Sequence, residues 1–293
     1  MVVARTHPVC CLIVLAAACG AHAQEVKKAA DEKAADEKAA ARQQRLDVMK
    51  SLVKQIQVFE SRDGEMVELQ RSPDPVTRFN DNAREYKDGT LWAFGRGGRP
   101  RSLMTCFTND QDGVVWWHAN ISLSSSRLRC TQSGQVTWSP LVGGLKLQEL
   151  PKGPTPAATS VQRRQQIRNI SRRFAAWQFW DPNNQRFDLR RLARPVLQYR
   201  DKEAGVVEGA LFLFTHGVNP ELVLLIELKQ EDGKLSWQYA VSKIGSAEFH
   251  ATLDDREVYQ SGRAPSVVGL PFSTYHMFRS YAKDREGDEE KNR

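Results

Sequence analysis

A chain of 293 residues, 41% hydrophobic and 26% charged, has the composition of an ordinary soluble globular protein, long enough for one large or two small domains that each bury a core. The formal net charge of +7 admits an anionic partner such as a membrane surface, an acidic polymer or nucleic acid. However, the 27 arginines among the 42 basic residues are scattered, which excludes a concentrated basic arm and leaves a solvated basic surface as the simpler reading.

The first 23 residues read as an export signal: Arg5, the apolar run VCCLIVLAAACGA, then Ala21-His22-Ala23 ahead of Gln24. The run is too short for a membrane span. Cleavage after Ala23 would place the protein in the periplasm or cell envelope. The alternative is a lipoprotein anchored through Cys19, which precedes Gly20, although Leu15 stands one position too early for the best such site. Either way Cys106 and Cys130 are the cysteines of the exported part. In an oxidising compartment they are expected either to form a disulfide or to stay as two buried apolar thiols. Neither has a second Cys or His at ligand spacing, so no metal site is expected there.

Residues 24–41, with ADEKA occurring twice, are rich in strong helix formers and offer no apolar stripe; they read as a solvated helical spacer. Leu46, Met49, Val53 and Ile56 then recur at helical spacing, so folded structure is expected from about residue 42. A second helix is expected over VQRRQQIRNISRRFAAWQFW, with Ile167, Ile170, Phe174 and Trp177 on one face and Arg164, Arg168 and Arg172 roughly opposite.

Between and beyond these helices the sequence repeats. Residues 69–117 match residues 189–237 at a constant offset of 120, with about 13 identities in 49 positions where roughly three are expected by chance. Gly89 pairs with Gly209, Phe94 with Phe214, Gly97 with Gly217, Pro100 with Pro220 and Trp117 with Trp237. Asp112-Gly113 and Asp232-Gly233 are hairpin-turn signals. The expected fold is therefore α+β: two duplicated halves, each a helix followed by an antiparallel β-meander, packed as one body. Residues 42–150 form the first repeat, 151–160 a Pro/Gly linker, 161–270 the second repeat, and 271–293 a short helix and charged tail. The strand LVLLIEL, apolar on both alternating faces, should be covered by its helix on one side and by the other half on the other.

DGTLWAFGRGGRP, FDLRRLARPVLQYRD, EGALFLF and GVNPELVLLIEL, with the linker and helix between them, resemble an uncharacterised family of exported proteins of planctomycete bacteria, over roughly residues 66 to 245. Members typically carry a Trp followed by a Gly-Arg-Pro turn, an Asp-Gly-Ala-Leu-Phe strand and a Gly-Thr-Asp-Pro-Glu turn. This chain departs from that pattern at Glu208, Val218 and Asn219. The resemblance implies export and a coherent fold, and no chemistry.

Candidate chemistry is sparse. His216, with Glu221 and Glu208 near it in sequence, suggests a general-base pair. Its counterpart at the repeat offset is Arg96, however, and that of Glu221 is Arg101, which favours polar variation on a structural turn. Glu227 interrupts an apolar strand and needs either a partner, such as an arginine, or exposure at the strand end. Arg96, Arg99 and Arg101 cluster beside Trp92 and could hold an anion, although a polar loop is the plainer reading. Most of the seven tryptophans are expected in the core. No nucleotide, cofactor or hydrolase motif occurs, so no cofactor and no catalytic residue is assigned, and nothing points to nucleic acid. The functional expectation is a non-catalytic binding or scaffolding component of the cell envelope, with an anionic envelope component or a small apolar ligand as partner. The alternatives are a carrier or sensor of small apolar ligands with a cleft between the halves, and, last, a hydrolase using Glu227 or His216.

Overall fold

The computed structural model describes the backbone of residues 10–109, 115–180, 183–264, 266 and 268–282, and side chains from residue 27 on, apart from 29 and 30. The chain divides into two compact units, Met1–Asp47 and Val48–Arg293. Helix α1 (Cys10–Lys54) carries the expected spacer, exposed on every side over residues 31–44 and laced by Lys28–Glu32 and Lys33–Glu37 pairs one helical turn apart. Residues 1–9 of the expected export signal lie outside the described residues, and no helix among those described is long and apolar enough to cross a membrane.

The second unit takes the last turns of α1, where Met49, Leu52 and Val53 are buried. It continues through β1 (Ile56–Arg62), β2 (Glu65–Glu68), β3 (Gln70–Arg71), β4 (Thr77–Asp81), β5 (Tyr86–Arg96), β6 (Arg99–Thr108), β7 (Val115–Ser122), β8 (Leu128–Gln132), β9 (Gln135–Trp138) and β10 (Gln148–Glu149). After α2 (Ser160–Ser171) come β11 (Phe174–Phe179), β12 (Arg186–Arg191), β13 (Leu197–Asp201), β14 (Val206–His216), β15 (Asn219–Glu231), β16 (Lys234–Lys243), β17 (Glu248–Leu253), β18 (Arg256–Ser261) and β19 (Tyr275–Tyr281). Every strand pairing is antiparallel, and the protein is α+β.

Two meanders form the centre. In the first, β4 pairs with β5 as Thr77↔Leu91 and Phe79↔Gly89, and β5 with β6 as Gly89↔Phe107 and Trp92↔Met104. In the second, β13 pairs with β14 as Leu197↔Leu211 and Tyr199↔Gly209, and β14 with β15 as Gly209↔Glu227 and Phe212↔Leu224, each register displaced by 120. The β-bulges next to Phe79 and Tyr199 recur at the same offset. Beyond the next turn the offset becomes 121: Thr105 faces Ala119 while Leu225 faces Ala240. Thus Trp116, not Trp117, occupies the position of Trp237, and both are buried. The Asp232-Gly233 turn has positive φ at both residues and joins β15 to β16 as a two-residue hairpin, while Asp112-Gly113 lies outside the described residues.

The meanders pack face to face. Leu91, Leu103, Ala119 and Ile121 share one apolar cluster with Leu211, Leu213, Val223, Leu225 and Ala240. The opposite face of the second meander, with Phe212, Phe214, Leu224 and Ile226, packs on Ile167 and Ile170 of α2. The LVLLIEL strand is thus covered twice, as its uniformly apolar faces require. Each end of the fold crosses over: β10 pairs with β16 of the second sheet, and β19 pairs with β7 of the first.

Several local expectations are corrected. Ile56 opens β1, and Phe174 and Trp177 lie in β11, not on helices. The run FAAWQF fits both periods, and Phe174, Ala176 and Gln178 bury one face as a strand after α2 ends at Ser171. The start of α2 is fixed by Thr159, whose hydroxyl accepts from the Gln162 amide at 3.3 Å. Residues 275–281, expected within a short helix, form β19; the charged residues 283–293 lie outside the described residues. Cys106 and Cys130 do not form a disulfide: they are buried free thiols, and burial pushes both up, Cys130 to about 11.

Candidate functional site

The β5–β6 and β14–β15 hairpins each bring the residues that follow their turns, Arg99 and Arg101 or Asn219 and Glu221, to the opposite meander, and the two junctions are built differently. At the first, the turn Gly97-Gly98 lies flat on β13: a Cβ on Gly97 would stand 3.1 Å from Asp201 Oδ1, and one on Gly98 3.2 Å from the Arg200 carbonyl. Arg99, 4% exposed, donates through Nε and Nη2 to the two oxygens of the fully buried Glu227 at 2.6 and 3.2 Å, and Tyr199 Oη donates to Glu227 at 2.8 Å. Burial and the adjacent Glu227 carboxylate raise the Tyr199 phenol well above its usual range, so it stays a donor. Arg101 donates to Asp201 at 2.8 Å. Arg96 reaches Glu203 at 3.3 Å. The three clustered arginines therefore go to three separate carboxylates, two of them on buried residues, and form no common anion site.

At the second junction the equivalent residues are shorter or carry the other charge. Asn219 stands where Arg99 does, Glu221 where Arg101 does, Phe107 where Glu227 does and Phe79 where Tyr199 does. Glu221 thereby meets Asp81, the counterpart of Asp201, as a like charge. Arg84, from the turn after β4, resolves the conflict: its Nη1 donates to Asp81 Oδ2 at 2.6 Å and also to Glu221 Oε1. Asn219 Nδ2 donates to Asp81 and to Glu221, each at 3.0 Å. The Arg84 guanidinium stacks over Trp180 at 4.5 Å. Burial pushes Glu221 up to about 7, with Arg84 opposing and Asp81 adding to the rise.

Asn219 is shorter than Arg99 and Phe79 lacks the hydroxyl of Tyr199, and a cleft of about 440 Å³ opens there. Its walls are Phe79, Tyr86, Phe107 and Ala119 of the first sheet, Pro220 and Ile244 of the second, and Tyr275 and Met277 of β19. Asn219, Glu221 and Arg84 form its polar end. Around it lie buried polar atoms without a hydrogen bond of normal geometry among the described residues: Thr105 Oγ1 in the wall, Trp180 Nε1, His216 Nδ1, and both amide atoms of Gln178, whose side chain approaches Glu221. Such atoms cost about 1–3 kcal/mol each when left unpaired.

Asp81, His216 and Glu221 each bring a ligand atom within 4.8 Å of the others, an acid-rich set that could hold a divalent cation. The Arg84 nitrogen already bridges the two carboxylates, so a metal would have to displace it. The general-base pair of His216 with Glu208 is not formed: Glu208, at the other end of β14, accepts from Ser160 Oγ at 2.6 Å and Arg164 Nε at 3.2 Å. Nothing in the sequence marks Asp81, Arg84, Asn219, Thr105 and Gln178 as members of one site. The one available signal was the charge reversal between Arg101 and Glu221 at equivalent positions, which requires a new partner at the second junction. No protein-family model, curated protein or solved structure matches this chain.

Proposed function

We propose that this chain is a non-catalytic, exported binding protein that holds a small ligand with an apolar body in the cleft beside Asn219. One observation carries the reading: of two junctions with matching strand registers, one is filled by Arg99, Glu227 and Tyr199, and the other is hollow and rimmed by unpartnered buried polar atoms. A cleft of about 440 Å³ falls in the size range of small-molecule sites, which are mostly apolar with a few convergent polar groups. The two meanders are read as copies of one duplicated unit, supported by their common registers and bulges and by the reciprocal placing of β10 and β19. The export signal, the helical spacer and the resemblance to exported planctomycete proteins support a place in the cell envelope. A carrier or sensor fits the cleft better than a scaffold does, because a scaffold gives no reason to leave Thr105 and Gln178 unpaired.

Calorimetry with 2-phenylethanol as a neutral probe tests this. One-site binding is expected to wild type and its loss in Ala119→Phe, which fills the cleft; circular dichroism and thermal unfolding check that the variant folds. A wild-type protein that takes up no more probe than the folded Ala119→Phe variant would overturn the reading.

A further inference from the structure

The polar end of the cleft has a definite hydrogen-bonding sense. Glu221 Oε1 is occupied by Arg84 and Asn219, while Oε2 accepts no hydrogen bond of normal geometry among the described residues; the Gln178 amide is the one further side chain that reaches this carboxyl. Oε2 lies beside Gly245, where a Cβ would come within 3.5 Å of it, and both residues line the cleft. The guanidinium that would otherwise attract an anion is spent on Asp81 and Glu221. The other arginine in the lining, Arg263, donates to the Phe179 carbonyl at 3.2 Å. Thr105 Oγ1, on a residue only 4% exposed, is a second unpartnered oxygen facing the same space. Phe79, Tyr86, Phe107, Trp180 and Tyr275 line other walls, and ring faces attract cations as well as apolar bodies.

We propose that the ligand is an amine: an ammonium group donating to Glu221 Oε2, with an aromatic or branched apolar body lying against Phe79, Phe107 and Tyr275. The inference rests on the cleft being a ligand site. A carboxylate ligand is disfavoured, because its charge would meet Glu221 and Asp81 with Arg84 already committed. An ammonium pairs with the carboxylate oxygen that accepts no hydrogen bond of normal geometry, as a charge-assisted hydrogen bond in a partly desolvated site.

The charged and titratable groups facing Glu221 are Arg84 and Asp81 from the β4–β5 turn, Tyr86 on β5, His216 on β14, Tyr275 on β19 and Arg263 in the loop after β18. Burial holds Glu221 near 7, so the amine should bind best above that pH and lose affinity as Glu221 takes up a proton below it.

Calorimetry with 2-phenylethylamine, 2-phenylethanol and 3-phenylpropionate on the full chain tests the inference. The amine is expected to bind at least about tenfold more tightly than the alcohol at pH 8, the scale of one charge-assisted bond. That preference should shrink severalfold at pH 5.5, where the probe is still protonated, and in Glu221→Gln at pH 8. Equal binding of amine and alcohol, or tightest binding of the carboxylate, would overturn the amine while leaving the cleft a ligand site. If even the alcohol ignores the cleft-filling Ala119→Phe substitution, the underlying reading falls as well.

Discussion

The β5–β6 and β14–β15 junctions have one backbone arrangement and two side-chain solutions. At the first, five polar side chains pair with one another: Arg99 with Glu227 and Tyr199, Arg101 with Asp201. At the second, the reversal from arginine to Glu221 draws in Arg84, and the loss of the Arg99 side chain leaves space. The difference teaches that a buried ion pair can serve as filling. Where it is kept the junction is solid; where one partner is shortened to Asn219 and the other is Phe107, the same backbone encloses a cleft.

If the first junction depends on its ion pair, the largest effect in the molecule should come from breaking it. Arg99→Ala leaves Glu227 charged, fully buried and held only by Tyr199, and is expected to cost about 3–5 kcal/mol. Replacing both partners together by Met and Leu should recover most of that loss, because a well-packed apolar pair is often as stable as a buried ion pair. Urea unfolding of the single and double variants checks this. A single variant within about 1 kcal/mol of wild type would mean that water reaches Glu227, and the contrast between solid and hollow junctions would fail.

The parts of this architecture that are local in origin are legible in the sequence. Gly89 and Gly209 face Phe79 and Tyr199 across paired strands, and an offset of 120 in sequence already equates them. LVLLIEL requires cover on both faces, and Glu227 within it requires either a partner such as an arginine or exposure at the strand end; the structure buries it against an arginine. Which arginine could not be read, because Arg99 is 128 residues away on the facing sheet. The same distance hid the second junction: Asp81 and Arg84 reach Glu221 only because one meander packs on the other. A one-residue change in the turn between β6 and β7 equally misled the matching of Trp117 with Trp237. Helical spacing misplaced Ile56, Phe174 and Trp177, since three or four apolar residues fit a strand face as well as a helix face.

The second junction should betray itself through pH. Glu221 holds its proton more firmly when folded than the ordinary carboxylate value of 4.5 implies, so its contribution to stability is full below that value and is lost as pH rises through about 7. Wild type should gain on Glu221→Gln as the pH falls from 8 to 5, by at most roughly 3 kcal/mol at about 1.36 kcal/mol per pH unit. His118, which burial holds down at about 3, works in the opposite direction in both proteins and cancels in the difference. Unfolding curves at the two pH values measure it. Parallel pH profiles would show that Arg84 keeps Glu221 ionised across this range, and the charge reversal would leave no pH signature at the second junction.

The smallest effect is the most direct comparison, because it places one methyl group at equivalent points. A Cβ on Gly209 would come within 2.3 Å of the Tyr199 ring, and one on Gly89 within 2.5 Å of the Phe79 ring. Neither glycine has a positive φ, so the backbone accepts alanine and the cost depends on whether the ring can move and, at Gly89, also on the Phe107 Cβ 2.9 Å away. Tyr199 is tied through its hydroxyl to Glu227, in a network that also holds Arg99. Phe79 has no such tether and borders the cleft, into which it can tilt. Gly209→Ala is therefore expected to cost about 1–3 kcal/mol, the usual penalty of overpacking, and Gly89→Ala less by up to about 1 kcal/mol, the part that the Phe79 ring relieves while the Phe107 Cβ contact stays. The second variant should also weaken 2-phenylethanol binding, since the displaced ring takes up ligand space. Equal costs at the two glycines would mean that the cleft closes onto Phe79 in solution, and the junction would be solid on both sides.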